Sequence, residues 1–403
     1  MKQFDWQLFI TLIVLIIFGE IAIYSASIQK FGEKYVTYDY YVKQLIWIFI
    51  SGILFFVILK FPKILLDFIT VPAYALSIFL LILVLLLPAT KGVHRWIHLG
   101  GINIQPSEFA KLTTILMVAR AISSKNLSHL KKIFYAFCVI IPPALLILKE
   151  PDLGSSLIFF VFALPMIYFA GVSLFTIFLL ISPLFSILVG FSSIAWIIFD
   201  VILLIVLLYN RIALIHAAFI LIANAFLSFL TPLFWNTLRS YQQERIITFL
   251  NPARDVLGGG YQIIQSKIAI GSGGIFGKGL LQGTQKNLGF LPEQQTDFIF
   301  SVVGEELGFF GCVLLLLAFL FLIYRGFAIL KKNKEIKYRI IIAGILTFLV
   351  FQIVINVGMN IGILPVVGTP LPFISYGGSS LLINIIAIAL LIKFEKERSF
   401  VYS

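Results

Sequence analysis

Apolar stretches of about 17 to 25 residues, bounded by charges or by proline and glycine clusters, follow one another along this chain with few gaps, each long enough to cross a bilayer. The spans run approximately over residues 8–26, 44–60, 68–89, 107–122, 133–149, 153–170, 172–190, 194–208, 211–232, 298–323, 339–362 and 376–394. Backbone surrounded by hydrocarbon must satisfy its own N–H and C=O groups, so these segments read as helices. Composition agrees: 60% of the 403 residues are hydrophobic and 12% are charged, whereas a soluble domain carries about 25% charged residues to hydrate its surface. The expected fold is all-α, a polytopic integral membrane protein of about twelve transmembrane helices, with residues 1–403 as one membrane domain. The first span begins too close to Met1 for a basic leader, and no small-residue cleavage site follows it, so it reads as a retained anchor. Cys138 and Cys312 lie inside apolar runs, which argues against a disulfide framework.

An even number of spans puts both termini on one side of the membrane. The connections holding Lys60 and Lys63, residues 125–132, residues 325–339 and the tail 393–398 then share that side, and the positive-inside rule makes it cytoplasmic. The formal charge of +12 therefore reads first as an orientation signal, and no nucleic-acid partner is expected. The opposite face receives the long, charged or glycine-rich segments 27–43, 90–106, 233–297 and 363–375. Function concentrates on such loops, and a mere connector needs no excursion as long as 233–297. Within that loop, residues 241–250 cluster apolar against charged side chains and suit a short interfacial helix.

Ionisable residues inside spans are costly and require an interior partner or a water-filled cavity. Glu108 and Lys111 lie three apart at the start of the fourth span, which suits either an intrahelical ion pair or a cavity-facing cation held by its carboxylate. Arg95 and Trp96 would frame the same mouth. Asp152 opens the sixth span, where a carboxylate can cap orphan backbone N–H groups. Asp297 precedes the tenth span in a similar way, but Glu305 and Glu306 follow two turns deeper, and three carboxylates exceed what a cap requires. Gln352, Asn356 and Asn360 make a polar stripe suited to interhelical hydrogen bonds. The stretch from Gly362 to Gly378, broken by Pro365, Pro370 and Pro372, must be buried in protein or line a cavity. Residues 271–279 fail as a nucleotide loop, because Ser272 stands where a glycine is needed and Gly279 follows Lys278 in place of Ser or Thr. His94 and His98 are four apart, but no third nitrogen or sulfur ligand is near in sequence.

Several motifs carry a family resemblance. Gln105-Pro106-Ser107-Glu108-Phe109-Ala110-Lys111, Glu150-Pro151-Asp152-Leu153-Gly154, Gln265-Ser266-Lys267-Ile268-Ala269-Ile270-Gly271, Pro292-Glu293-Gln294-Gln295-Thr296-Asp297 and Pro370-Leu371-Pro372-Phe373-Ile374-Ser375-Tyr376-Gly377-Gly378 occur in family order. With them the chain resembles the SEDS proteins (shape, elongation, division and sporulation), from about residue 92 to 380. Pro370 in that last motif is closer to the elongation branch than to the division branch. Two features depart from the pattern: Gln295 stands where a His is common, and residues 172–232 hold room for three helices where one is usual, about two beyond a core of ten.

The resemblance implies a peptidoglycan glycosyltransferase of the bacterial cytoplasmic membrane. It would polymerise lipid II into β-linked strands at the outer face during elongation and cell-shape maintenance, beside a class B penicillin-binding protein and the elongation machinery. A diphosphate is already a good leaving group, so such a site needs cations for the departing charge and one base for the attacking hydroxyl. Asp297 is the expected base, selected over Glu305 and Glu306 by the resemblance. Arg95, Trp96, Glu108, Lys111, Asp152, Arg245, Lys267 and Ser375 are the candidate substrate-binding residues. No organic cofactor is expected; a divalent cation, Mg or Mn, is a candidate, with Glu108 and Asp152 as its candidate ligands. A lipid II flippase or other transporter, a division-type polymerase and a non-catalytic scaffold are the competing readings.

Overall fold

A computed structural model describes residues 4–31, 34–88, 94–100, 102–237, 243–244, 247–248, 251, 259–287 and 293–398. The chain divides into two compact units, one made of Met1–Gly171 with Asn251–Ser403 and the other of Val172–Leu250.

The larger unit starts with α1 (Trp6–Ser27), whose first turn is capped by Asp5 accepting from the Leu8 amide at 3.0 Å. Two short hairpins occupy segments expected as plain loops: β1 (Ile28–Phe31) pairs antiparallel with β2 (Lys34–Thr37), and β3 (Ile97–Leu99) with β4 (Ile102–Ile104). Between them run α2 (Tyr40–Lys60) and α3 (Lys63–Leu86), followed by α4 (Pro106–Ile122), α5 (His129–Lys149) and α6 (Leu153–Phe169). Prolines lie inside α3 (Pro72), α5 (Pro142, Pro143) and α6 (Pro165), and the Val139 carbonyl, which Pro143 leaves without its amide donor, accepts from the Tyr74 hydroxyl at 2.8 Å.

The smaller unit contains α7 (Leu174–Val189), α8 (Ser193–Tyr209), α9 (Leu214–Phe229) and α10 (Thr231–Thr237). Leu203, Leu207 and Ala217 form its apolar centre, with Phe175 and Phe199 packed around them. Polar contacts lock α7 to α9: Ser186 Oγ donates to Asn224 Oδ1 at 2.7 Å, and Ser228 Oγ donates to the Ser186 carbonyl at 2.8 Å. Such bonds hold helices together where lipid tails supply no hydrophobic drive.

The larger unit resumes with α11 (Gly259–Ser272), α12 (Thr284–Asn287), α13 (Ile299–Lys332), α14 (Ile336–Asn360) and α15 (Gly378–Arg398). Among the described residues, twelve helices of 16 residues or more lie on the twelve expected spans. By length and composition, seven cross a membrane outright, and an eighth does if α9 and α10, bent by 47°, form one span. Helices of 16–17 residues such as α6, α7 and α8 reach about 24–26 Å, slightly less than a bilayer core. The protein is thus all-α and multi-pass. Within the larger unit the apolar window of α15 is 83% buried, whereas that of α2 is 17% buried.

One break shapes the functional end. Within α13, Gly308 adopts φ 66° and ψ −163°, which no helix allows. The backbone groups freed there are satisfied by the glycine-rich segment before α12. Phe309 and Phe310 amides donate to the Gly274 and Ile275 carbonyls at 2.9 and 3.0 Å, while Lys278 and Gly279 amides donate to the Glu305 and Glu306 carbonyls at 3.0 Å each. A Cβ on Gly308 would collide with Gly277 and Ile275 backbone. Gly308→Ala is therefore expected to cost about 1–3 kcal/mol of strain plus that collision, lowering the unfolding temperature in detergent. Gly52→Ala, where a Cβ meets nothing within 4 Å, should leave it unchanged or raised; equal behaviour of the two variants would refute the account.

Candidate active site

The irregular segment between α14 and α15 gathers the residues with chemistry. It bends through positive φ at Gly362 (73°), Gly368 (77°) and Phe373 (65°), so it follows no regular path. Lys267 of α11 lies over Gly362, its Nζ 2.6 Å from where a Cβ would stand. Gly154, at the start of α6, abuts Val367, and the next residue, Gly368, has the Asp297 Oδ2 3.4 Å from its Cβ position. A side chain at Gly154 would collide with Val367, whereas at Gly368 it is the positive φ that disfavours one.

The turn bearing Asp297 is pinned to the same segment. Ser375 Oγ donates to the Thr296 carbonyl at 2.6 Å, and the Tyr376 amide donates to the Gln295 carbonyl at 2.8 Å. From α14, Asn356 Nδ2 and Asn360 Nδ2 both donate to the Asp297 carbonyl, at 3.0 and 2.9 Å. Asn356 also donates to the Thr369 carbonyl at 2.8 Å, and Asn360 Oδ1 accepts from Ser301 at 2.5 Å. The polar stripe thus fixes the Asp297 turn through its backbone, and Asp297 stands half-buried before α13. It is not the cap of that helix; Phe298 holds the N-cap position without a side-chain bond. Gln352, the third member of the stripe, is buried with no hydrogen-bond partner among the described residues.

The other two carboxylates of the entrance are engaged. Glu305 accepts from Lys278 Nζ at 2.8 Å and from the Thr284 amide at 2.7 Å. Glu306 accepts from Lys286 Nζ at 2.5 Å and from Ser25 at 2.7 and 2.6 Å. Lys278, in the segment that fails as a nucleotide loop, is a clamp for Glu305. The two pairs hold the glycine-rich segment on α13.

A second cluster surrounds the start of α6. Asp152 caps it, accepting from the Ser155 amide at 3.0 Å, and faces the Arg95 guanidinium at 3.8 Å. Arg95 also donates to the Glu150 carbonyl at 3.1 Å and the Pro151 carbonyl at 2.5 Å. Glu150 is fully buried, and burial pushes its carboxyl up to about 9; the Asp152 charge adds to that rise, and the Arg95 charge opposes it. Trp96 follows Arg95, half-buried. Lys111 and Glu108 pair at 2.5 Å in the interior, each 2% exposed, with the Phe348 ring 5.6 Å from the ammonium. Reaching a diphosphate from there would require this pair to open. Ser375 uses its hydroxyl twice within the protein, donating to Thr296 and accepting from the Leu371 amide at 2.7 Å. Arg245 and most of the expected interfacial helix lie outside the described residues.

Those contacts also bear on a resident metal. Glu108 and Asp152 each already face a cation, and among the described residues no three His, Cys, Asp or Glu side chains gather as a ligand set. Both candidate ligands are thus paired with cations of the protein itself.

The polar stripe and the broken segment were legible in the sequence. That Gly154, Gly362 and Gly368 hold the clusters together was not, because the close approaches join segments distant along the chain.

Comparison with known proteins agrees with this architecture. Residues 5–199 and 195–400 match the family described as cell cycle protein, FTSW_RODA_SPOVE. The peptidoglycan glycosyltransferase MrdB of Escherichia coli strain K12 is 35% identical over 396 residues, covering 98% of this chain and 94% of that protein. A probable peptidoglycan glycosyltransferase FtsW of Trichlorobacter lovleyi is 34% identical, with the same coverage. A chain solved in work on the structural coordination of polymerization and crosslinking by a peptidoglycan synthase complex superposes with a TM-score of 0.73 at 27% identity, covering 99% of both chains. On the extent of these matches and the fold they share, this chain belongs to the cell cycle protein family of FtsW, RodA and SpoVE.

Proposed function

We propose that this chain is a peptidoglycan glycosyltransferase that polymerises lipid II into β-linked glycan strands, with Asp297 as its general base. The activity agrees with that of the relatives, and the observation that carries the residue assignment is the convergence of Lys267, Gly154 and the Asp297 turn on residues 362–376. Asp297 would take the proton of the acceptor 4-hydroxyl as its oxygen bonds to the donor sugar C1. The C1–oxygen bond to the diphosphate breaks on the opposite face, so the configuration inverts. Charge developing on the leaving diphosphate is met by Arg95 and Lys267, with Arg245 and, on opening of its pair, Lys111 as further cations. Trp96, Glu108, Asp152 and Ser375 act in this reading by orienting those groups. A divalent cation enters as a companion of the substrate diphosphate, which requires at most one or two protein carboxylates.

The even helix count and the basic segment Arg325–Arg339 support cytoplasmic termini and an outward-facing Asp297 in the cytoplasmic membrane. Pro370 supports the elongation branch over the division branch. A class B penicillin-binding protein is the partner in this reading, by analogy with the synthase complex whose chain superposes.

The test is polymerisation of purified lipid II by the protein in detergent, with its transpeptidase partner added and with and without chelator. A muramidase-sensitive glycan ladder is expected. A flippase makes no polymer, because it changes no bond; folded protein that yields none with the partner present would sink the reading. Abolition by chelator would assign the divalent ion a role on the diphosphate.

A further inference from the structure

Next to the Asp297 turn stands a row of tyrosines that the reaction as described does not use. The Tyr376 amide is bonded to the Gln295 carbonyl, two residues from Asp297. The Tyr376 ring meets that of Tyr40 at 5.0 Å between centroids, tilted by 56°, and Tyr40 stacks on Tyr38 at 5.6 Å and 24°. Tyr38, at the far end, is 40% exposed, and Tyr40 and Tyr376 are half-buried.

Tyrosines at the ends of membrane helices ordinarily form an interfacial belt, each ring reaching the headgroups independently. This row is different in two ways. Its members touch in series, Tyr376 and Tyr40 tilted and Tyr40 and Tyr38 stacked, and its backbone is fixed from several sides. Gln44 of α2 accepts from the Gly377 amide at 3.3 Å and donates to the Ser375 carbonyl at 3.4 Å, while the Tyr38 amide donates to the Ser27 carbonyl at 3.0 Å. A pre-organised run of aromatic faces loses little entropy when a ligand settles on it. The ligand class follows from the surface. A pyranose presents one face of weakly positive C–H groups, which suits the negative face of an aromatic ring, and equatorial hydroxyls, which suit phenols and carboxylates.

We propose that Tyr38, Tyr40 and Tyr376 form a binding track for the β-1,4-linked N-acetylated hexosamine chain, holding the glycan strand beside Asp297 between additions. The proposal rests on Asp297 being the reaction centre, so it is tested by binding alone. The probe is a soluble β-1,4-linked N-acetylglucosamine tetramer, titrated against detergent-solubilised full-length protein carrying Asp297→Asn and followed by saturation-transfer NMR. Binding is expected, with affinity falling about tenfold in Tyr40→Ala and in Tyr376→Ala, the size of one good aromatic contact. Tyr40→Phe, which keeps the ring and loses only the phenol's hydrogen bond, should weaken binding less than Tyr40→Ala does. Folded parent protein that fails to bind the tetramer, or alanine variants that bind as tightly as the parent, would overturn the track. Because the protein tested does not need to turn over, a failed base assignment and a failed track are separate results.

Discussion

Replacing Asp297 by Asn should lower lipid II polymerisation by about 10²- to 10⁴-fold, the usual worth of a positioned general base. The change is nearly isosteric and removes the proton acceptor. The fold should survive it, because the bonds from Asn356 and Asn360 go to the Asp297 carbonyl oxygen, which Asn retains. Turnover in a gel assay should therefore collapse while the unfolding temperature stays within a degree or two of the parent. Glu305→Gln is the informative contrast. Glu305 anchors Lys278 and the Thr284 amide, so that variant should lose stability first and activity only in proportion. Asp297→Asn that polymerises at the parent rate, with normal folding, would remove Asp297 from the mechanism.

The second large effect is structural. Lys286 is fully buried and holds Glu306, itself 2% exposed, at 2.5 Å, with Ser25 bonded to both. Lys286→Met leaves a buried carboxylate without its countercharge, which costs about 3–5 kcal/mol. The loss should appear as a large fall in unfolding temperature and in the yield of folded protein. Adding Glu306→Gln to the same chain removes the stranded charge and should restore most of the stability. A single variant as stable as the parent, or a double variant no better than the single, would show that this pair does not hold the glycine-rich segment on α13. The effect on activity should follow stability, since neither residue is proposed to touch substrate.

Much of the helix arrangement was legible residue by residue. Apolar runs bounded by charges predict α1 to α9 and α13 to α15, since hydrocarbon leaves a backbone no other way to satisfy its hydrogen bonds. The pattern is silent where polarity and glycine dominate. Both hairpins were expected as loops, because their strands are three or four residues long and carry no sustained alternation. The break at Gly308 was invisible as well. It follows Glu305 and Glu306 within a stretch expected as one unbroken span, and what stabilises it is backbone from residues 274–279, which no pattern within α13 reports.

The site divides in the same way. By itself the sequence determined the solvent, the number of helices, the polar stripe and, through its motifs, a short list of acids and bases on which Asp297 could be named. Only the tertiary structure decided which of those charges are already spent. Glu306 reaches Ser25 across 281 residues, and Asn360 reaches Asp297 across 63. An ionisable group's role depends on what neutralises it, and in a protein interior that partner is set by packing, not by position along the chain.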